Sequence, residues 1–238
     1  MNFEEKNILV AGGSSGIGLS TVQLLSQSGA NVYVVSRNVP AEVVAGVKYI
    51  AADVTSNLDA ITTSLPEMIH GLVYSIGSIN LKPFNRLTQQ DFLTDYSLNV
   101  LGAVNLIQLC LKQLKSAGGS SIVMVSSVAA SLGMPYHASI SAAKGAVEGL
   151  ALSLAAEMAG QNIRVNVVAP SLTDTPMAQN LLSTPEKKEA SAKRHPLGRF
   201  GKPEDISEAI AFLLSDQSSW ITGQVIGIDG GMGKLKTS

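Results

Sequence analysis

Three of the four glycines and the two serines in AGGSSGIG, residues 11–18, are the residues whose types and spacing first suggest chemistry. Gly12, Gly16 and Gly18 form a GxxxGxG pattern, with Ile17 between the last two; this differs from the GxGxxG spacing of the common dinucleotide fingerprint. The physics is shared. Residues without a Cβ let the backbone turn tightly and approach a pyrophosphate, and a helix opening at Gly16 aims free N–H groups and its positive dipole end at the same place. Ser14 and Ser15 add hydroxyl donors. The alternative is a tight strand-to-helix turn holding nothing. The apolar run before the loop and the helical pattern after it favour a nucleotide. An NAD site would place an acid at the end of the second strand, on the ribose 2′-hydroxyl. This chain has VVSRN there, with Ser36, Arg37 and Asn38 in place of a carboxylate. Arg37 suits a 2′-phosphate through a charge-assisted fork, so NADP(H) is expected ahead of NAD(H). Asp53, followed by Val54, either accepts from the adenine amino group or caps the segment starting at Thr55.

The rest of the composition narrows the class. With 238 residues, 45% hydrophobic and 15% charged, the chain suits one folded domain, residues 1–238, with a sizeable core. A net charge of -1 without a basic run argues against nucleic acid as a partner. Cys110 stands alone, so neither an internal disulfide nor a thiolate cluster is expected, and a buried apolar role suits it. His70, His137 and His195 make no metal-ligand spacing, and no metal site is read. The start, MNFEEKNILVAGG, is too acidic for a signal peptide, and no apolar run reaches the ~18 residues of a membrane span. A cytoplasmic protein without membrane contact is the expectation.

The elements that must position these residues alternate. Apolar, β-branched runs at 7–12, 31–36, 48–53, 71–75, 121–127, 163–170 and 224–231 read as strands. Helical patterns cover 16–28, 88–98, 100–115, 139–159 and 203–215. Strands apolar throughout and separated by helices predict an α/β, doubly wound parallel sheet covered on both faces. Ligands on such a sheet sit at the carboxyl ends of the strands, where the candidate residues fall.

The cofactor-type loop GGSSGIG (12–18), ADV (52–54), Asn99 in LNVLG, VMVSSVAA (123–130), RVNVVAPSLTDTPM (164–177) and the run from HPLGRFGKPEDI to GIDGGM (195–232) stand at spacings that make the chain resemble the short-chain dehydrogenases/reductases, in pattern nearest the 3-oxoacyl-[acyl-carrier-protein] reductases. The resemblance spans nearly the whole chain. It implies a single Rossmann-type domain with a seven-stranded parallel sheet, a small-molecule substrate and a homo-oligomer, tetramer or dimer. It also implies cofactor contacts from Ser75, Ile76 and Gly77, and from Pro170, Thr173 and Thr175. Three departures stand out. The family's NNAG is YSIG (74–77), which requires rearranged hydrogen bonding. Its PG is Pro170-Ser171. Its Tyr-x-x-x-Lys pair is broken: Lys144 matches the lysine, four residues before it stands Ile140, and thirteen further back Ser127 matches the serine.

In the family the tyrosine gives a proton to the carbonyl oxygen as hydride reaches the carbon. The lysine lowers the tyrosine pKa and holds the nicotinamide ribose, the serine donates to the substrate oxygen, and the asparagine supports a water relay. Ser127, Lys144 and Asn99 take those three roles here, and isoleucine donates nothing. Bacterial enoyl-acyl carrier protein reductases, a divergent branch, carry Tyr-x-x-Met-x-x-x-Lys; His137 sits at that tyrosine's spacing from Lys144, and Tyr136 misses it by one. The proton would then come from His137, Tyr136 or water, imidazole being suited to transfer at neutral pH. Ser139 reads as a helix cap, Ser126 as a partner of strand-end backbone, and His195 as lying outside the catalytic frame. Residues 172–197 read as a lid that sets specificity; Met177, Leu181 and Leu182 in it either suit an apolar substrate or pack on the core. The expected activity is NADP(H)-dependent carbonyl reduction. The alternatives are reduction of an activated C=C bond, or cofactor binding without turnover in a structural or regulatory protein.

Overall fold

Seven short strands rich in Val and Ile form one parallel sheet in the order β3-β2-β1-β4-β5-β6-β7. They are β1 (Asn7–Ala11), β2 (Asn31–Ser36), β3 (Lys48–Ala51), β4 (Gly71–Tyr74), β5 (Ser120–Val125), β6 (Ile163–Pro170) and β7 (Val225–Ile228). The structure, a computed structural model, describes residues 1–40, 42–56 and 58–236. Between the strands run α1 (Gly16–Gln27), α2 (Asp59–Thr62), α3 (Gln89–Tyr96), α4 (Gly102–Ser116), α5 (Ala138–Met158), α6 (Pro185–Lys193) and α7 (Pro203–Leu214). The chain winds outward from β1 to β3, returns, and winds the other way from β4 to β7. The crevice between β1 and β4 is therefore the switch point.

Alternation along each strand fills both faces. Leu9, Leu72 and Met124 enter a core with Leu106, Ile107 and Cys110 of α4 and Val147 and Ala151 of α5. Ile8, Val10, Val73 and Val123 enter a second core with Val22 and Leu25 of α1 and Ile206 and Ile210 of α7. Cys110 is fully buried, and burial pushes its thiol up to about 12. Arg164 of β6 ties the sheet to the end of α7, donating to the carbonyls of Leu213 (2.9 Å) and Ser215 (3.1 Å) and to Ser218 Oγ (2.9 Å).

The doubly wound parallel architecture follows the sequence expectation, with corrected element ends. The expected strands 7–12, 48–53, 71–75, 121–127 and 224–231 stop short at Ala11, Ala51, Tyr74, Val125 and Ile228. Gly12, Ala52, Ser75 and Ser126 each give one last backbone N–H to the neighbouring strand, and from there the chain turns into the site loops. The expected helices 88–98 and 100–115 are joined by a π turn, Ser97–Leu101, that carries Asn99. Residues 172–197 contain a 3₁₀ turn, Pro176–Leu182, and α6, neither of which the apolar periodicity had indicated. Both open on a threonine cap followed by proline: Thr175 accepts from Ala178 N and Thr184 from Lys187 N.

Candidate functional site

A cleft of about 650 Å³ opens at the switch point. All the residues expected to hold a cofactor line it, from Gly12 to Gly18 through Ser36, Arg37, Asp53, Val54 and Ser75–Gly77 to Pro170, Thr173 and Thr175. So do Ser127, Tyr136, His137 and Lys144. Asn99 alone of the expected set does not.

The glycine loop is built for close approach. Gly12 has φ +85, which favours glycine, and a Cβ on Gly18 would overlap the Gly12 carbonyl oxygen. A Cβ on Gly16 would lie 3.1 Å from Thr175 Cγ2. Ser15 caps α1 with no side-chain hydrogen bond, and the first turn holds no acid. The positive end of α1 is thus left to an anion in the cleft. At the end of β2, Ser36 turns its hydroxyl to Asn38 O (2.7 Å), while Arg37 is exposed. Asp53 Oδ1 accepts from Thr55 N (2.8 Å) and Thr55 Oγ1 (2.6 Å), and those hydrogen bonds lower its pKa. It closes a local turn rather than capping a helix, as the capping alternative had it, because no helix starts at Thr55: α2 begins at Asp59 behind Leu58. This donor set fits a phosphorylated dinucleotide: an uncapped helix end, a glycine cradle and a cation at the second strand.

The YSIG segment shows where the lost amides' hydrogen bonds have gone. Tyr74 is buried and donates to Leu98 O at 2.6 Å, clamping β4 to the π turn; burial pushes its phenol above the usual range. Ser75 Oγ donates to Ala11 O at 3.0 Å, tying β4 to the glycine loop.

Lys144 lies inward on α5, 7% exposed, and donates to Val125 O at 2.7 Å. Burial pulls its ammonium down to about 8, against the opposing pull of Asp95. Glu148, one turn further along α5, accepts from Ser126 Oγ at 2.7 Å. Asn99 is buried behind Gly77, its Nδ2 donating to Asp95 O at 2.8 Å. Its Oδ1 has no hydrogen-bond partner among the described residues. A Cβ on Gly77 would sit 3.2 Å from that oxygen and 3.3 Å from Lys144 Nζ, so the two polar groups flank this glycine. Ser127 Oγ accepts from Ala129 N at 3.2 Å, leaving its proton to donate. Ile140 is 6% exposed and lines the cleft.

Asp95 was not singled out in the sequence. It is 2% exposed and accepts from Ser78 Oγ and Ser139 Oγ, both at 2.7 Å. Ser139 therefore bonds Asp95 inside α5, and the cap position falls to His137. An acid four residues before Asn99 on a helical pattern was the available signal. Tyr136 takes φ +69 and is 58% exposed. His137 holds Pro135 O through Nδ1 at 2.6 Å.

His195, read from sequence as outside the catalytic frame, lines the same cleft. It is 3% exposed, with Nδ1 2.7 Å from Ser191 O and Nε2 2.8 Å from Ser171 Oγ. No spacing rule links positions 171 and 195; the fold of residues 172–194 brings them together.

Residues 11–233 match the family model described as Enoyl-(Acyl carrier protein) reductase. The chain is 36% identical over 249 residues to 3-oxoacyl-[acyl-carrier-protein] reductase FabG of Thermotoga maritima, covering 98% of this chain and 99% of that one. The solved 3-ketoacyl-(acyl-carrier-protein) reductase from Brucella melitensis complexed with NADH aligns with a TM-score of 0.86 at 28% identity, over 97% of this chain and 99% of that one. A structure of ElxO with NADPH bound aligns with a TM-score of 0.88 at 26% identity, over 97% and 99%.

Proposed function

Because this chain belongs to the short-chain dehydrogenase/reductase family of oxidoreductases, we propose that it uses NADP(H) to reduce the carbonyl of a small molecule of the ketone or 3-oxoacyl type. The observation that carries this reading is the convergence on one cleft of the uncapped α1 terminus, Arg37 and the buried Lys144 ammonium. Gly12 to Gly18 with Ser14 and Ser15 would hold the pyrophosphate. Arg37 beside Ser36 would hold the 2′-phosphate, and Asp53 and Val54 the adenine. Ser75, Ile76, Gly77, Pro170, Thr173 and Thr175 would line the nicotinamide side. Bound there, the reduced nicotinamide supplies hydride. Ser127 donates to the substrate oxygen, Lys144 orients the ribose, and Asn99, with its unpartnered Oδ1, anchors a water relay. The proton comes from a group other than residue 140. The cytoplasm is the proposed compartment and a homo-oligomer the proposed state. The exposed apolar side chains of Trp220 (99% exposed), Leu152 and, on the edge strand β7, Val225 support self-association.

Two observations favour other readings. Ile140 favours cofactor binding without turnover in a structural or regulatory protein, and the description of the matched family model favours reduction of an activated C=C bond. A panel of β-ketoacyl, enoyl and simple ketone substrates, followed at the NADPH absorbance, separates them. The proposal expects turnover of a ketone or β-ketoacyl substrate. Turnover of enoyl substrates alone would replace carbonyl reduction, and tight NADPH binding with none turned over, until Ile140→Tyr restores it, would establish the silent form.

A further inference from the structure

Carbonyl reduction adds a hydride to carbon and a proton to oxygen, and Ile140 leaves the second without its expected source. The cleft contains an acid-base pair outside the family frame, a half-buried serine and a buried histidine. Ser171 follows Pro170 at the carboxyl end of β6, where the resembled family has glycine and therefore no hydroxyl. Its Oγ lies 2.8 Å from His195 Nε2, and the opposite ring nitrogen, Nδ1, lies 2.7 Å from Ser191 O. A carbonyl only accepts, so Nδ1 carries the ring proton that donates to Ser191 O. Nε2 is then the nitrogen that exchanges a proton with the serine hydroxyl. A hydroxyl in contact with an imidazole that a third group orients is the arrangement that lets a serine give or take a proton. Both residues line the cleft that holds Lys144, and His195 is 3% exposed. His137, by contrast, is held at one ring nitrogen only among the described residues.

We propose that Ser171, backed by His195, delivers the proton that residue 140 cannot. This rests on the reading of the cleft as a nicotinamide-dependent carbonyl reductase site. As the substrate carbon takes hydride from the reduced nicotinamide, the C=O π pair moves to oxygen. That oxygen takes the Ser171 hydroxyl proton, and Ser171 recovers one from Nε2 of His195, whose ring has first taken up a second proton from solvent and enters the step as the imidazolium. The imidazole ends neutral, held by Ser191 O, and takes its next proton from water entering the emptied cleft. In the oxidising direction the neutral Nε2 accepts the proton along the same path. Ser171 is the catalytic residue and His195 the positioning and storing one.

The test compares Ser171→Gly and His195→Gln, each with and without Ile140→Tyr. It measures NADPH fluorescence titration, kcat and KM on the panel substrate that the parent protein turns over fastest, and the histidine ring ¹⁵N spectrum without cofactor. Both substitutions are expected to lower kcat by about 10²–10⁴, the usual contribution of a positioned acid, with NADPH affinity unchanged and KM within about threefold. With Ile140→Tyr present the same substitutions are expected to cost less than about twofold; a structural role would cost as much in either background. The spectrum is expected to show a His195 ring protonated at Nδ1 whose Nε2 resonance moves in Ser171→Gly. A kcat unchanged in both variants, an unmoved Nε2 resonance, or a loss seen with His137→Ala and not with Ser171→Gly overturns the proposal. NADPH binding with no turnover in the parent protein overturns it while leaving the cofactor site standing; absence of NADPH binding overturns both.

Discussion

Lys144 holds its ammonium where a charge is poorly solvated, with Val125 O as its direct acceptor and Asp95 as the opposing charge. Its pKa falls from the ordinary 10.5 to about 8, so between those values the unfolded chain binds the proton that the folded chain has released. Stability therefore rises with pH across that window, and the penalty is fully present below pH 8. Lys144→Met removes it. Urea unfolding at a series of pH values should show the stability difference between variant and parent, whatever its sign at neutral pH, moving in the parent's favour by about 3 kcal/mol from pH 8 to 10.5. Parallel curves would mean that Lys144 is not desolvated as the structure has it. Residue identity was legible in the sequence where a frame existed: Ser127, Lys144 and the glycines all reach the cleft. Asp95 and the Ser171–His195 pair were not legible, because their partners come from elements distant in sequence and only the fold sets their spacing.

At the scale of elements, the π turn Ser97–Leu101 joins α3 to α4 and holds Asn99 behind the cleft wall. Tyr74 donates to Leu98 O within this turn, and Gly102 leaves room for the phenol, since a Cβ there would meet the Tyr74 hydroxyl. Tyr74→Phe deletes the donor and leaves a carbonyl without its partner, which costs about 1–3 kcal/mol. For a chain of this size thermal unfolding should shift down by about 3–9 °C, and a midpoint identical to the parent's would show that the clamp contributes nothing. The strand cores were readable because continuous Val and Ile runs have few other uses. The strand ends were not, because polar residues such as Asp53 and Ser127 continue the β pattern locally while their side chains and backbone turn to loop partners. The helical turns within residues 172–197 escaped for a related reason: α6 is polar and exposed along most of its length, so it lacks an apolar stripe and is marked only by its threonine cap and proline.

For the whole molecule, the reversal of winding between β1 and β4 lets residues just beyond β1 and β4, at the ends of β2, β5 and β6, and from α1 and α5 line one cavity. Alternation of strand and helix made that reversal expected, and several motifs at consistent spacing fixed where along the chain each contribution falls. The account depends on that cavity binding a phosphorylated nicotinamide dinucleotide through the α1 terminus and Arg37. Isothermal titration of the intact protein with NADPH and NADH, repeated on Arg37→Glu, tests this most directly. NADPH is expected to bind saturably and at least about tenfold tighter than NADH, with the preference abolished or inverted in the variant, since one charge-assisted contact is worth about 1.5–3 kcal/mol. Absence of heat with either dinucleotide, or equal affinities unaffected by Arg37→Glu, would contradict it.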